Sequence, residues 1–267
     1  MRIGVSSSCL YPMLLEESVR TLLGQGVKTL ELFVNAGSEL REPFVRELRL
    51  ITDDAGAEIV SLHPFSSAFE SMLFFTDYMR RFEDGLGFYR QFFRAAELLG
   101  ARIFVFHGCS TRMRLNNMNE DIYCERFERL RRAAAEYGVT FAQENVNGYC
   151  SESPDFIRAI RERLPDVRFV LDQKQCIRAG VSVREMSEAM GGRVCHVHLS
   201  DSLPGQDCLP PGTGSYDFAA LFALLRAAQP GAETGVIELY RKNFGAADEL
   251  SAALRYLNGV QCGPKRG

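Results

Sequence analysis

Short apolar runs alternate along this chain with longer stretches in which apolar positions recur every three or four residues. The first pattern predicts buried strands and the second amphipathic helices. Strands are expected at 3–5, 27–34, 57–62, 102–106, 139–143, 167–171, 194–199 and 235–239, and helices at about 12–23, 39–55, 76–99, 119–137, 155–163, 183–190, 216–228 and 246–257. The helix ends carry their own signals. Gly24, Gly56, Gly100, Gly138 and Gly191 fall where helices should stop, and Pro154 follows Ser153 at a first-turn position where its missing N–H costs nothing. Eight strands alternating with eight helices, without a linker between them, predict a parallel sheet in an α/β protein. At that count the expectation is a single-domain (β/α)8 TIM barrel over residues 1–260, with 261–267 as a C-terminal tail.

In such a barrel the chemistry sits at the C-terminal ends of the strands. Here those ends are polar almost without exception: His63, His107, Glu144-Asn145, Asp172, His198 and Glu238 each close an apolar run. A carboxylate left unpaired at the end of a buried strand pays several kcal/mol of desolvation, so three of them need a shared partner. A divalent cation is the simplest one. In the run from Val194 to Leu199, period two puts Val194, His196 and His198 on one face and Cys195, Val197 and Leu199 on the other. His198, last before Ser200-Asp201, is the better ligand candidate, whereas His196 reads more readily as a hydrogen-bonded core histidine. The aromatic-rich stretch from Phe65 to Phe93 reads mainly as packing of a helix on the sheet, with Phe65, Phe69 and Phe74 placed to wall a pocket.

Composition narrows the field. The chain has 267 residues, 46% hydrophobic and 24% charged, with a formal net charge of -3, ordinary for a soluble domain and poorly suited to gripping duplex DNA. The Arg- and Glu-rich segment 119–137 is the mixed charge of a solvated helix face. The N-terminus lacks a signal-peptide pattern, no apolar run approaches the ~20 residues of a membrane span, and the eight cysteines show no close-paired spacing. These features predict a cytoplasmic protein with reduced thiols and no membrane partner.

Ser61-Leu62-His63-Pro64, Gln143-Glu144-Asn145, Leu171-Asp172-Gln173-Lys174-Gln175, His196-Val197-His198-Leu199-Ser200-Asp201, Gly212-Thr213-Gly214-Ser215-Tyr216-Asp217-Phe218 and Ile237-Glu238-Leu239-Tyr240 together carry a resemblance. The chain resembles the xylose isomerase-like superfamily, specifically its sugar phosphate isomerase/epimerase-like branch, over nearly its whole length. The resemblance implies one divalent metal ion on Glu144, Asp172, His198 and Glu238. Three carboxylates and one imidazole suit Mn²⁺ or Mg²⁺, with Co²⁺ or Zn²⁺ also compatible. It further implies an isomerase or epimerase of a small sugar, sugar phosphate or polyol derivative, with proton transfer by Glu144 and Glu238 through a metal-stabilised enediolate. The implied substrate-binding candidates are His63, His107, Lys174, Gln175, His196, Asp207 and Arg241. A small carbohydrate is then the expected partner, and a homo-oligomer stays open.

Two alternatives follow from the same resemblance. An inosose dehydratase-like enzyme would expel a β-hydroxyl instead of reprotonating. An endonuclease IV-like phosphodiesterase would use His63 and His107, but Gln175 and Leu209 stand where that branch has two further histidines. The chain also departs from the epimerases after the seventh strand, because residues 202–225 contain no Lys or Arg. An anion handle would have to come from Lys174, Arg112, Arg114, Arg178 or Arg241, or from the Gly212-Thr213-Gly214 turn, where Asp217 opposes an anion.

Overall fold

The computed structural model describes residues 1–113 and 119–262. Its strands are β1 (Arg2–Ser6), β2 (Thr29–Val34), β3 (Glu58–Pro64), β4 (Ile103–Phe106), β5 (Thr140–Glu144), β6 (Arg168–Asp172), β7 (Val194–Leu199), β8 (Asp201–Leu203), β9 (Gln206–Leu209) and β10 (Thr234–Ile237). All but β8 and β9 pair in parallel and close into a barrel in the order β1-β2-β3-β4-β5-β6-β7-β10. The helices are α1 (Leu15–Gly24), α2 (Glu42–Asp54), α3 (Glu70–Phe74), α4 (Met79–Leu99), α5 (Glu120–Ala135), α6 (Pro154–Arg163), α7 (Gln173–Ala179), α8 (Val183–Met190), α9 (Phe218–Ala228) and α10 (Ala247–Cys262). The (β/α)8 barrel expected from the alternation is the architecture found.

Because helices cover the outside, both faces of each strand are buried, and the two faces hold different chemistry. Outward-facing residues such as Leu32, Leu62, Phe104, Phe141 and Phe169 join Val19, Phe92, Phe127 and Ile157 of the helices in one continuous core. Phe104 stacks on Phe141 at 5.7 Å and meets Phe93 edge-on at 5.1 Å, so the aromatic stretch is chiefly packing. Each such ring removes enough apolar surface from water to stabilise the fold by about 1.5–3 kcal/mol. The apolar set inside the barrel is small, with Ile103, Val105, Ala142 and Val170 against Cys195.

The departures from the expected elements are local. The pairing of β6 with β7 shifts between Phe169 and Val170, opposite Val194 and His196, so strict alternation fails at the start of β7: Val194 joins the outer core and Cys195 turns inward. The helix expected over 76–99 is α4 alone, preceded by the separate short α3. A helix appears directly after β6 because Asp172 caps α7, its Oδ1 accepting from Gln175 N at 2.9 Å. The loop after β7 contains the antiparallel hairpin β8-β9. At the C-terminus α10 carries the helix through Cys262, so the expected tail begins as helix, and 263–267 lie outside the described residues. No helix among the described residues is long and apolar enough to cross a membrane.

Candidate functional site

Glu144 and Asp172 are the last residues of β5 and β6, His198 is the penultimate residue of β7, and Glu238 follows β10 directly. Parallel pairing brings these exits together at one end of the barrel: Asp172 is in register with His198, and His198 with Val236. One ligand atom from each of the four lies within 4.8 Å of the others. His198 Nδ1 is 3.4 Å from Glu144 Oε1, 3.6 Å from Asp172 Oδ2 and 3.4 Å from Glu238 Oε2. Burial disfavours charge on His198, yet Glu31, Glu238 and Glu144 outweigh it and hold the imidazole well above its ordinary pKa. Burial likewise opposes ionisation of Glu144 and Glu238, and nearby cations reverse it: His107 and His198 keep Glu144 low, Lys174 and His198 keep Glu238 low.

The residues fit a divalent cation on a direct observation. Asp172 Oδ2 and His198 Nδ1 are buried, make no hydrogen bond and lie 3.6 Å apart, with Glu144 Oε1 and Glu238 Oε2 each 3.4 Å from the same nitrogen. Buried polar atoms are nearly always satisfied, and an unpaired imidazole nitrogen facing three carboxylates marks a place for a ligand they share. Neighbouring groups hold the set in shape. Asn145 Nδ2 donates to Asp172 O at 2.9 Å while Asp172 N donates to Asn145 Oδ1 at 2.8 Å, locking the two strand exits to each other.

Beside this set stand His63 and His107. His107 Nε2 is 3.0 Å from Glu144 Oε2 and 3.0 Å from His63 Nε2, and Phe33 stacks on His63 at 4.7 Å. The backbone at His107 is clamped by Glu70, whose Oε2 accepts from His107 N at 2.9 Å and Gly108 N at 2.6 Å and whose Oε1 accepts from the Tyr89 hydroxyl at 2.9 Å. Gly108 is required here: its φ is +90°, and a Cβ would lie 2.1 Å from the Tyr123 hydroxyl.

A cavity of about 440 Å³ opens onto Glu238 and Lys174, walled by Tyr11, Phe33, Phe65 and Tyr240, with Ser8 and Asn35 as polar groups on the wall. Of the three phenylalanines expected to wall a pocket, Phe65 does so, Phe69 is exposed and Phe74 is fully buried. A second cavity of about 420 Å³ lies among residues at the strand starts, including Arg2, Arg102 and Thr140, away from these groups.

The remaining sequence candidates divide. Lys174 is buried, its Nζ 2.8 Å from Glu238 Oε2 and 3.4 Å from Asp172 Oδ2. Gln175 sits at the rim, its Oε1 accepting from Asn147 N at 3.2 Å. His196 departs from the expectation of substrate contact: it is fully buried, with Nδ1 2.7 Å from Thr234 Oγ1 and Nε2 3.4 Å from Glu31 Oε2. The Asp207 carboxylate is taken up by Arg178, which also donates to the Tyr240 hydroxyl at 2.8 Å, so Asp207 reaches the cavity wall only through Arg178. Arg241 turns back on its own loop, donating to Phe244 O at 2.8 Å and Gly245 O at 3.0 Å. The Gly212-Thr213-Gly214 turn is filled from within, since Asp201 Oδ2 accepts from Gly212 N at 2.8 Å and Gly214 N at 3.0 Å. Arg114 lies outside the described residues.

Two acids went unrecognised in the sequence, Glu31 and Glu70, both fully buried beside the site. For Glu31 a signal existed: an acid between Leu30 and Leu32 in a strand whose other face also had to be buried.

The chain belongs to the xylose isomerase-like TIM barrel family, which matches residues 21–259. No curated protein matches the sequence. Among solved structures it is similar to the 3-keto-D-glucoside 4-epimerase YcjR from E. coli, at 19% identity and a TM-score of 0.76, covering 97% of this chain and 99% of that one. It is similar to the D-psicose 3-epimerase of Clostridium cellulolyticum H10, solved with D-tagatose, at 14% identity and a TM-score of 0.77, covering 98% and 99%. A sugar phosphate isomerase/epimerase from Parabacteroides distasonis follows at 18% identity and a TM-score of 0.69, covering 98% and 94%. At these identities the likeness is one of fold.

Proposed function

We propose that the protein is a divalent-metal-dependent epimerase or isomerase of a small, uncharged carbohydrate. The observation that carries this reading is that Glu144 and Glu238 approach the same nitrogen, His198 Nδ1, at 3.4 Å each from strands separated in the barrel by β6 and β7. Two carboxylates facing one point from different sides of a barrel suit removal of a proton from one face of a carbon and its return to the other. Glu144, Asp172, His198 and Glu238 would hold the ion, which supplies a Lewis acid that makes the hydrogen between a carbonyl and a hydroxyl removable. Glu144, with His107 at 3.0 Å, would exchange the proton on one side, and Glu238, with Lys174 at 2.8 Å, on the other. The aromatic walls Tyr11, Phe33, Phe65 and Tyr240 would pack on the C–H faces of the sugar and exclude water from it.

The absence of charge on the substrate is inferred from where the cations go. Lys174, Arg178 and Arg241 are engaged by carboxylates or carbonyl oxygens of the chain itself, and the Gly212–Gly214 turn by Asp201. A phosphorylated sugar held by these groups would have to break one of these pairings; of the other candidate handles, Arg112 is exposed on the loop after β4 and Arg114 lies outside the described residues. The nuclease alternative loses ground on the same residues that opposed it in the sequence, Gln175 and Leu209. The testing experiment loads the protein with Mn²⁺ and follows solvent deuterium uptake into unphosphorylated ketoses and keto-glycosides and their phosphates. Uptake confined to the phosphates overturns the uncharged-substrate reading.

A further inference from the structure

We propose that Glu31, a residue of β2 with no reach to the pocket, is the positioning residue that fixes the tautomer and aim of His198. The inference rests on Glu144, Asp172, His198 and Glu238 forming a metal set. The His198 ring lies between two groups of acids: Nδ1 faces the three carboxylates of that set, and Nε2 lies 3.3 Å from Glu31 Oε2. An imidazole nitrogen that ligates a metal must present a lone pair, so the ring proton has to sit on the other nitrogen and needs an acceptor there. Glu31 is that acceptor, and it is itself fully buried.

The surroundings of Glu31 select this role over another. Glu31, His196 and His198 also have ligand-like spacing of their own, within 4.8 Å. A second ion among them would need the lone pair of His198 Nε2. That would place the ring proton on Nδ1, pointing it at Glu144, Asp172 and Glu238 and closing the first set, so a neutral imidazole cannot serve both. The other neighbours agree. Ser61 Oγ donates to Glu31 Oε2 at 2.8 Å, and Thr234 Oγ1 lies 2.7 Å from His196 Nδ1. His196 Nε2 in turn lies 3.3 Å from Ser61 Oγ and 3.4 Å from the same Glu31 oxygen. Glu31 Oε2 thus accepts from Ser61 of β3 and faces the imidazoles of β7, which holds it in place to receive the N–H of His198.

Two readouts test the assignment without recourse to activity. The first is long-range ¹H–¹⁵N correlation NMR of the Mg²⁺-loaded protein, which has four histidines to assign. The expected spectrum shows His198 protonated on Nε2 alone, and an Nδ1–H tautomer overturns the proposal. The second is Mn²⁺ affinity by titration calorimetry for the parent and Glu31→Gln, whose amide keeps the shape but not the charge. A fall of about 10–100-fold is expected, and an unchanged affinity overturns the proposal. If Glu31→Gln does not fold, the tautomer in the parent decides the question, and Ser61→Ala, which removes one donor from Glu31, is expected to weaken Mn²⁺ binding about threefold to tenfold. A parent protein that binds no Mn²⁺ at all would instead overturn the metal set on which the proposal rests.

Discussion

The Lys174 ammonium lies 2.8 Å from Glu238 Oε2 and 3.4 Å from Asp172 Oδ2, inside the group of acids that would hold a metal ion. Burial alone would strip its proton, but Asp172 and Glu238 outweigh burial and hold it well above the ordinary lysine value. One residue of the chain therefore offsets charge that the ion would otherwise have to offset alone.

The consequence is a stability effect that depends on metal. Lys174→Met leaves Asp172 and Glu238 as buried carboxylates with less compensation, which should cost about 3–5 kcal/mol in the metal-free protein. Added Mn²⁺ should recover most of that loss. Thermal melts of both proteins with EDTA and with Mn²⁺ check this, and an identical loss under both conditions would show that Lys174 acts through packing alone.

Glu70 gives a pH dependence of defined sign. Burial raises its carboxyl well above the ordinary value despite the donors Gly108 N, Tyr89 and His107 N. A group whose folded pKa exceeds its unfolded pKa stabilises fully below the unfolded value of about 4.3 and loses that contribution as pH rises through the folded value. Glu70→Gln has no proton to lose, so its stability relative to the parent should improve steadily as pH increases through that range. Urea denaturation of the pair at several pH values reads the difference directly. A pH-independent difference would mean that Glu70 titrates alike in both states.

How far the sequence reached can be judged from the same residues. The alternation of periods suffices for the barrel, and polar residues closing apolar runs nominate Glu144, Asp172, His198 and Glu238 along with His63 and His107; it is the family resemblance that singles out the first four as a metal set. Glu31 is harder to read because Leu30, Leu32 and Val34 alone account for a strand packed on the helices, while in a closed barrel the inner face, which carries Glu31, is buried too. Glu70 was lost in an aromatic stretch read as packing. The helix α7 went unseen because Asp172 counted as a strand end, although the same carboxylate also caps a helix. For Asp207 and Arg241, loop position suggested a role that only the pairing of their side chains could refine.

Asp201 shows what such pairing does. Its carboxylate accepts four backbone N–H groups, from Ser202, Gly212, Gly214 and Tyr216. A Cβ on Gly214 would lie 2.3 Å from Asp201 Oδ1. Asp201→Ala should therefore destabilise the protein by about 1–3 kcal/mol or more for the donors left unpaired, and the emptied turn should gain affinity for inorganic phosphate. Melting temperature against phosphate concentration is expected to rise for the variant and stay flat for the parent. A rise in the parent would show that the turn already accepts anions.

The central claim is that Glu144 and Glu238 exchange the proton of a metal-activated sugar. The most direct measurement is loss of a carbon-bound proton signal by ¹H NMR in D₂O, across unphosphorylated ketoses and keto-glycosides, with the Mn²⁺-loaded parent, Glu144→Gln and Glu238→Gln. The account predicts exchange by the parent, abolished by EDTA, and a loss of about 10²–10⁴-fold in either variant that still binds Mn²⁺. Exchange at the parent rate in either variant, or in chelated protein, would contradict it.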